Sequence, residues 1–465
     1  MLTRSKRAPL RITLSRWHRQ QAETLALVLQ ELPRIEELTF SRVDGIESRA
    51  ELVASAPLLR SLSITSTYHT AEKGSVALYM ERVDMPKLVH LELLTSHVPW
   101  SSPLFRPTVT RLTFRDTSAR TQGEDFAQVL RVLGSMPLLQ ELDLRGVLPI
   151  LVDDGSTPPE LDHYISLPAL QHLAVSGTAK SCAFLLQHLK FSVGYLEVEC
   201  KTMLPAELKI LTPIITSKLH GSSSAPAISL QSMLVTGTCL TVWDDVHSIE
   251  TLGKIHRGYI RRPAPRLKLS ISSVLAEGLH DALVSLPLGD VQVCVIGSHT
   301  GGASLRGWKT LFQVMPSVRE LSVHQCYDDI ADALALRIPV PAGEREKRTG
   351  KGKQKKSDVL LPQLKVLCLS AVRFRDDLEE LDEDPGSVLM AYKKMLETRK
   401  KARRQIEKLS IHNSINFGSE DCKSLKGLVK EVDWDGVEDW SEGEEEDDSE
   451  DDYSDEDGYG FLDVI

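Results

Sequence analysis

Four histidines recur at one kind of place in this sequence. His90, His172, His324 and His412 each lie in or beside a short Leu-x-Leu run, at positions that alternate with the apolar residues. Successive side chains of a strand point to opposite faces. These histidines would therefore share a face with Glu92, Arg111, Arg115, Glu141, Asp143, Arg145 and Glu320. Imidazole and carboxylate groups on one surface could move protons, or together with the guanidiniums they could form a polar strip that binds a partner. For any single histidine the plainer account is a solvated side chain on a half-exposed sheet. As a set, these residues mark the candidate partner-binding face.

No other spacing points to catalysis. Gly302 to Thr310 reads GASLRGWKT, and a phosphate loop needs Lys directly after the second glycine, where Trp308 stands. No Gly-x-Gly-x-x-Gly follows a strand-like run, no His-Glu-x-x-His occurs, and no His/Cys pairing has zinc spacing. The sequence thus predicts a protein with no cofactor and no enzymatic activity. The seven cysteines are scattered, with no Cys-x-x-Cys. Cys294 and Cys368 lie in strand-like runs and are expected to be small core hydrophobes. A reduced compartment, cytoplasmic or nuclear, suits this usage. The N-terminus carries no apolar segment of a signal peptide, and no run of 18 apolar residues exists to span a membrane.

The formal charge of −10 hides two opposed parts. Residues 431–465 hold 18 of the 65 acidic residues and no Lys or Arg, which leaves 47 acids against 55 bases in residues 1–430. Residues 437–465 are expected to be a disordered acidic tail. Residues 342–358 (AGEREKRTGKGKQKKSD) are expected to be a mobile basic loop. That loop could be a nuclear-import run, a nucleic-acid patch or a solvated insertion. No aromatics are interleaved to stack on bases, which argues against nucleic acid.

The elements that must carry the polar strip repeat along the chain. Pro137 opens PLLQELDLR, the form Pro-x-Leu-x-x-Leu-x-Leu. Pro33, Pro57, Pro86, Pro107, Pro168, Pro316 and Pro362 open similar copies, and residues 406–411 repeat it without the proline. Degenerate copies lie near Val193 to Val198, Ile228 to Val235, Pro265 to Ile271 and Val291 to Ile296. From Pro33 to Pro168 the steps are 24, 29, 21, 30 and 31 residues. Leucine-rich repeats run about 20–29 residues. Between the copies, Trp17 to Leu32, Glu47 to Ala54 and Phe126 to Leu133 carry helical periodicity. Alternating strands and helices predict an α/β solenoid of about a dozen irregular units over residues 8–436, with a parallel sheet inside and helices outside. Leu38, Leu62, Leu91, Leu112, Leu142, Leu173, Leu321, Leu367 and Leu409 should occupy equivalent buried positions. Many leucine-rich repeats bond their turns with Asn. This chain has only Asn413 and Asn416, so most turns must be built otherwise. Residues 151–163 and 222–225 read as loop insertions, and the pattern weakens from Gly221 to Ala303. Residues 386–405 read as a basic amphipathic helix with Val388, Leu389, Tyr392, Met395 and Leu396 inward. Lys393, Lys394, Arg399, Lys400, Lys401, Arg403 and Arg404 make its outer side.

Residues 4–14 (RSKRAPLRITL), the recurrent Pro-x-Leu-x-x-Leu-x-Leu and the closing residues 432–436 (VDWDG) resemble fungal, mushroom-type F-box proteins with degenerate leucine-rich repeats. The resemblance covers roughly residues 4–436 and concerns the repeat region. Residues 1–32 do not read as the F-box helix trio of that family. The resemblance implies a substrate-recognition part of a ubiquitin ligase, with a Skp-type adaptor and a cullin as partners. The competing expectation, from the basic loop and the acidic tail, is a nuclear protein associated with nucleic acid or histones.

Overall fold

A computed structural model of the 465-residue chain describes residues 8–17, 22–43, 55–66, 76–94, 98–115, 125–151, 164–192, 194–200, 205–219, 229–237, 239–260, 263–271, 283–297, 304–325, 329–339, 357–375 and 387–438. The expected helix from Glu47 to Ala54, the insertions beyond Leu151 and at 222–225, the basic loop through residue 356 and the tail from residue 439 lie outside these.

The first half of the chain supplies strands β1 (Leu10–Trp17), β2 (Ile35–Val43), β3 (Ser61–Thr65), β4 (His90–Leu94), β5 (Arg111–Arg115), β6 (Glu141–Arg145), β7 (Ile165–Ser166), β8 (His172–Gly177), β9 (Leu189–Lys190) and β10 (Tyr195–Cys200). The second half supplies β11 (Ser232–Thr236), β12 (Cys239–Trp243), β13 (Leu267–Ile271), β14 (Val293–Ile296), β15 (Glu320–His324), β16 (Arg337–Pro339), β17 (Ser357–Val359), β18 (Val366–Ser370), β19 (Lys408–His412) and β20 (Glu431–Trp434). Sixteen of them form one sheet in the order β1-β2-β3-β4-β5-β6-β8-β10-β13-β12-β11-β14-β15-β18-β19-β20. Helices α1 (Ala22–Gln30), α2 (Val76–Met80), α3 (Phe126–Gly134), α4 (Ala179–His188), α5 (Pro205–Leu219) and α6 (Ile249–His256) punctuate the first part. Helices α7 (Leu305–Gln313), α8 (Asp329–Ala335), α9 (Ser387–Lys401) and α10 (Ser419–Lys426) follow. This is an α/β leucine-rich-repeat solenoid.

The repeated proline has a local cause. In Ala56-Pro57-Leu58-Leu59 the Leu59 N–H donates to Ala56 O at 3.1 Å, closing a turn with proline second. The same bond closes the turns at Pro86, Pro107, Pro137, Pro168, Pro316 and Pro362. Proline's fixed φ suits that second position. The residue that ends each turn, a leucine or, at Val109 and Val318, a valine, dips into the core, and the strand follows. Leu38, Leu62, Leu91, Leu112, Leu142 and Leu173 then stand in register across six strands, as do Leu321, Leu367 and Leu409. Each is 2 % exposed or less. Burying one leucine side chain is worth about 1.5–3 kcal/mol, and the file is joined to one continuous core under the outer helices.

The strands end without an asparagine ladder. Gly146, Gln325, Ala371 and Asn413 each follow a strand directly, at φ of 72°, 53°, 52° and 49°. Gly146, Gln325 and Ala371 donate their N–H to Ser176 O, Ser370 O and His412 O in the next strand, at 3.2, 3.0 and 3.0 Å. One left-handed residue thus turns the chain while its amide extends the ladder. Asparagine serves only in the last repeat, where Asn413 and Asn416 take this conformation.

Four expectations need correction. The sheet is not wholly parallel, because β12 runs antiparallel to both β11 and β13. Gly237, at φ 47°, makes the tight hairpin from β11 to β12, and β13 inserts on the β10 side, so this stretch runs in reverse spatial order. Secondly, Trp17 to Leu32 is not one helix. The strand β1 continues to Trp17, paired with Val43 on β2, and α1 begins only at Ala22. Thirdly, α9 stops at Lys401 and Arg399 is not on its outer side: it is fully buried and donates from Nη1 to Leu360 O and from Nη2 to Leu361 O, both at 2.8 Å. Lastly, Cys368 is not a core hydrophobe as Cys294 is. Leu367 and Leu369 are buried on either side, so Cys368 faces the other side of the sheet.

Candidate partner-binding face

The face away from the outer helices, the inner side of the solenoid, carries every residue of the expected strip, but in two separate groups. The first spans β4 to β13. His90, Arg111, Glu141 and His172 are successive neighbours in one row. Arg111 Nε lies 3.1 Å and His172 Nδ1 3.8 Å from Glu141 Oε1. Burial, and then the charge of Arg111, hold the His90 imidazole below its ordinary pKa against the opposing pull of Glu141 and Glu37. In the next row Glu92 accepts from Ser63 Oγ at 2.6 Å. Asp143 then accepts from Arg115 Nη2 at 2.5 Å and from Arg145 Nε at 3.2 Å. The hydrogen bond to Asp143 raises the affinity of Arg115 for its proton.

The centre of this group is Glu197, which sequence spacing did not single out. Its carboxylate accepts from Lys268 Nζ at 2.6 Å and from Arg145 Nη2 and Tyr195 Oη at 2.9 Å. Burial works to raise its pKa; the bonds from Lys268 and Tyr195 and the charge of Arg145 outweigh it and hold the carboxyl below its ordinary value. Burial and the same carboxylate push the Tyr195 phenol well above its usual value. Lys268 and Tyr195 alternate with leucines as Asp143 does, and that alternation was the available signal.

The second group is separated from the first by α6. Unlike the outer helices, α6 lies on the inner face. Ser248 caps it, accepting from Thr251 N at 3.2 Å. Leu252 and Ile255 pack on Leu234, Trp243, Val293 and Val295 in a core of their own. Those strand residues alternate with Met233, Val242, Cys294 and Ile296, which belong to the main core. The middle of the sheet is therefore apolar on both faces. The run VQVCVI at 291–296 reads as a strand buried on both sides, but nothing in it says that the cover comes from a helix 40 residues upstream.

Between α6 and strands β14, β15, β18 and β19 lies a cleft of about 680 Å³. Ser322, Cys368 and Ser410 line its floor, and Glu320, His324 and His412, all expected on sequence grounds, line it too. His256 and Arg257 enter from the end of α6, and the His256 and His324 rings meet edge to face at 5.3 Å. Gly297 makes room for this: a Cβ there would stand 2.5 Å from His256 Cε1. Burial, followed by the charges of His256 and Arg257, lowers the His324 pKa. Lys408 Nζ lies 2.8 Å from Asp433 Oδ2, and Asp435 Oδ2 accepts from Asn413 N at 2.6 Å. Burial raises the Cys368 thiol, leaving it protonated and a poor nucleophile. Among the described residues no group of three or more His, Cys, Asp or Glu is arranged to hold a metal ion, and no helix is long and apolar enough to cross a membrane.

No protein-family model and no curated protein matches the chain. Solved structures similar to it include the "Crystal structure of TLR13-ssRNA13 complex", at 14 % sequence identity and a TM-score of 0.32, over 87 % of this chain and 50 % of that one. The chain spans about half the length of that protein. The repeat architecture described above stands on the sheet itself.

Proposed function

We propose that this protein is a non-catalytic scaffold that binds a protein partner on the inner face of its solenoid. The observation that carries the reading is the cleft beside α6, where one helix and four strands converge on mixed polar side chains around about 680 Å³. Solenoids present their concave surfaces for recognition, and a cleft with charges of both signs suits a peptide segment. The network centred on Glu197 is consumed internally and is a rigid flank to that site. The finer reading is the substrate-recognition part of an F-box-type ubiquitin ligase, supported by the resemblance of residues 4–14 and of the repeats.

A photo-crosslinking residue placed at Ser322 or Ser410, and at Ser135 on the helix side as control, tests the scaffold reading in cells. Discrete adducts from the cleft positions alone are expected. Equal adducts from Ser135, or none from the cleft, overturn it. Copurification with a Skp-type adaptor and a cullin tests the ligase reading separately, and their absence alongside a cleft adduct removes that finer part only.

A further inference from the structure

The rim where strands β15, β18, β19 and β20 begin carries a second cleft, of about 790 Å³, apart from the inner-face site. Arg319, Lys365, Lys400, Arg403, Arg404 and Lys430 line it, against one carboxylate, Glu407. The repeat itself assembles this cluster. Lys365 N donates to Arg319 O and Glu407 N to Lys365 O, both at 2.8 Å, so the residues just before successive strands stand side by side. The end of α9 adds the rest. Lys400 Nζ grips Gly427 O at 2.7 Å, and Arg403 turns the chain in the left-handed region at φ 60°. Glu407 is shared by two lysines, with Lys430 Nζ at 3.2 Å and Lys365 Nζ at 3.7 Å from its Oε1. Six cations held around one carboxylate leave a concave surface with a large positive excess, which attracts anions by the summed field more than by any one pair.

We propose that this rim cleft binds a carboxylate-rich peptide, and that its occupant is the acidic segment of this same chain at residues 442–457. That segment holds twelve Asp and Glu and no Lys or Arg. Its tether is short. The described chain ends at Glu438, whose Oε1 accepts from Ser419 N at 3.0 Å at the start of α10. The eight residues of α10 then lead back to Gly427, which Lys400 holds; at about 1.5 Å per residue they span roughly 12 Å. Residues 439 to 442, extended at about 3.3 Å each, cover a similar distance. The acidic run therefore starts within reach of the cleft, and such a tether gives an effective concentration on the order of millimolar. Binding of this kind is lost as salt screens it.

The test uses the full chain, a full-length variant with the twelve acids of 442–457 replaced by Gln or Asn, and a fluorescent peptide of residues 439–465. In low salt the neutralised variant should bind the peptide at least tenfold more tightly than the wild-type chain, whose cleft is already filled. Adding Lys365→Glu and Lys430→Glu to the neutralised variant should weaken binding at least tenfold. Adding Glu407→Gln should tighten it, a gain that misfolding cannot produce. Lys393→Glu with Lys394→Glu, on α9 outside the cleft, should change it less than twofold. Equal binding by wild-type and neutralised chains overturns occupation in cis. Equal weakening by the two lysine pairs leaves only general attraction and overturns the site. A single-stranded oligonucleotide that displaces the peptide at lower concentration than unlabelled peptide does would overturn the carboxylate assignment.

Discussion

Arg145 on β6 hydrogen-bonds Glu197 on β10 across the intervening strand β8, from Nη2 to Oε2 at 2.9 Å. The crossing is open because β8 presents only Ala174 and Ser176 at that level. Glu197, whose side chain is 8 % exposed, also takes Lys268 and Tyr195, so one carboxylate ties three strands. Glu197→Gln keeps the shape and removes the charge. Hydrogen bonds to charged groups contribute about 1.5–3 kcal/mol, and a loss of about 2 kcal/mol is expected in urea unfolding at pH 7. Because its folded pKa is lowered, the contribution of Glu197 is complete above the unfolded value of about 4.3 and disappears as pH falls through the folded value. The gap between wild type and variant should therefore narrow below pH 4. A gap that stays constant down to pH 3 would show that the charge of Glu197 is not what matters.

Leu142 tests the repeat. It lies between Leu112 and Leu173 in the central file and is 2 % exposed. Leu142→Ala should cost about 2–5 kcal/mol. Each repeat contacts mainly its neighbours, so amide-exchange protection should fall first in β5, β6 and β8 and last in β19. Uniform loss across the sheet would instead mark a single cooperative unit. Leu142→Asp, which buries an unpaired charge, should unfold the neighbouring repeats outright.

The leucine file was legible because burial on one face imposes a period of two, and the proline-led turn fixes where each strand begins. The rows of polar residues between the leucines followed from the same alternation. The grouping of those rows did not. Strands β10, β13, β12, β11 and β14 separate His172 from His324, and α6 covers the middle of that stretch on the inner face; placing a helix on a sheet face is a long-range packing choice. The reversed strand β12 was hidden for a related reason. Its residues 239–243 (CLTVW) carry a strand signal but no direction, and only the hairpin at Gly237 sets that. The charge of Arg399 points to solvent, yet two backbone carbonyls, Leu360 O and Leu361 O, take its guanidinium inside.

Trp243 anchors α6. It is 1 % exposed, and its Nε1 donates to Pro263 O at 3.1 Å. Its ring belongs to the small core beneath Leu252 and Ile255. Trp243→Ala should cost about 3–5 kcal/mol locally, releasing α6 while the main core holds. Limited proteolysis should then cut within residues 249–260, with β4 to β6 still protected. The crosslinks from Ser322 and Ser410 should fall with it, because α6 is one wall of the cleft. Cleavage spread evenly along the chain would mean that α6 is not a separable cover.

His324 gives the cleft a pH dependence whose sign is fixed by its surroundings. Burial, His256 and Arg257 all act to lower its pKa. A base with a lowered folded pKa binds fewer protons folded than unfolded, so stability falls as pH drops below the ordinary histidine value of about 6.5 and levels off below the folded pKa. His324→Gln should remove that part of the slope between pH 7 and 5. Gly297→Ala offers a second handle, since its methyl would meet His256 Cε1 at 2.5 Å and Nε2 at 2.9 Å and the ring must swing away. The repulsion from His256 then weakens, and the His324 pKa should rise toward 6.5, read from its imidazole proton shifts in an NMR titration assigned with His324→Gln. An unchanged His324 titration in Gly297→Ala would show that the two rings do not sense each other's charge, and the cleft would have no such linkage.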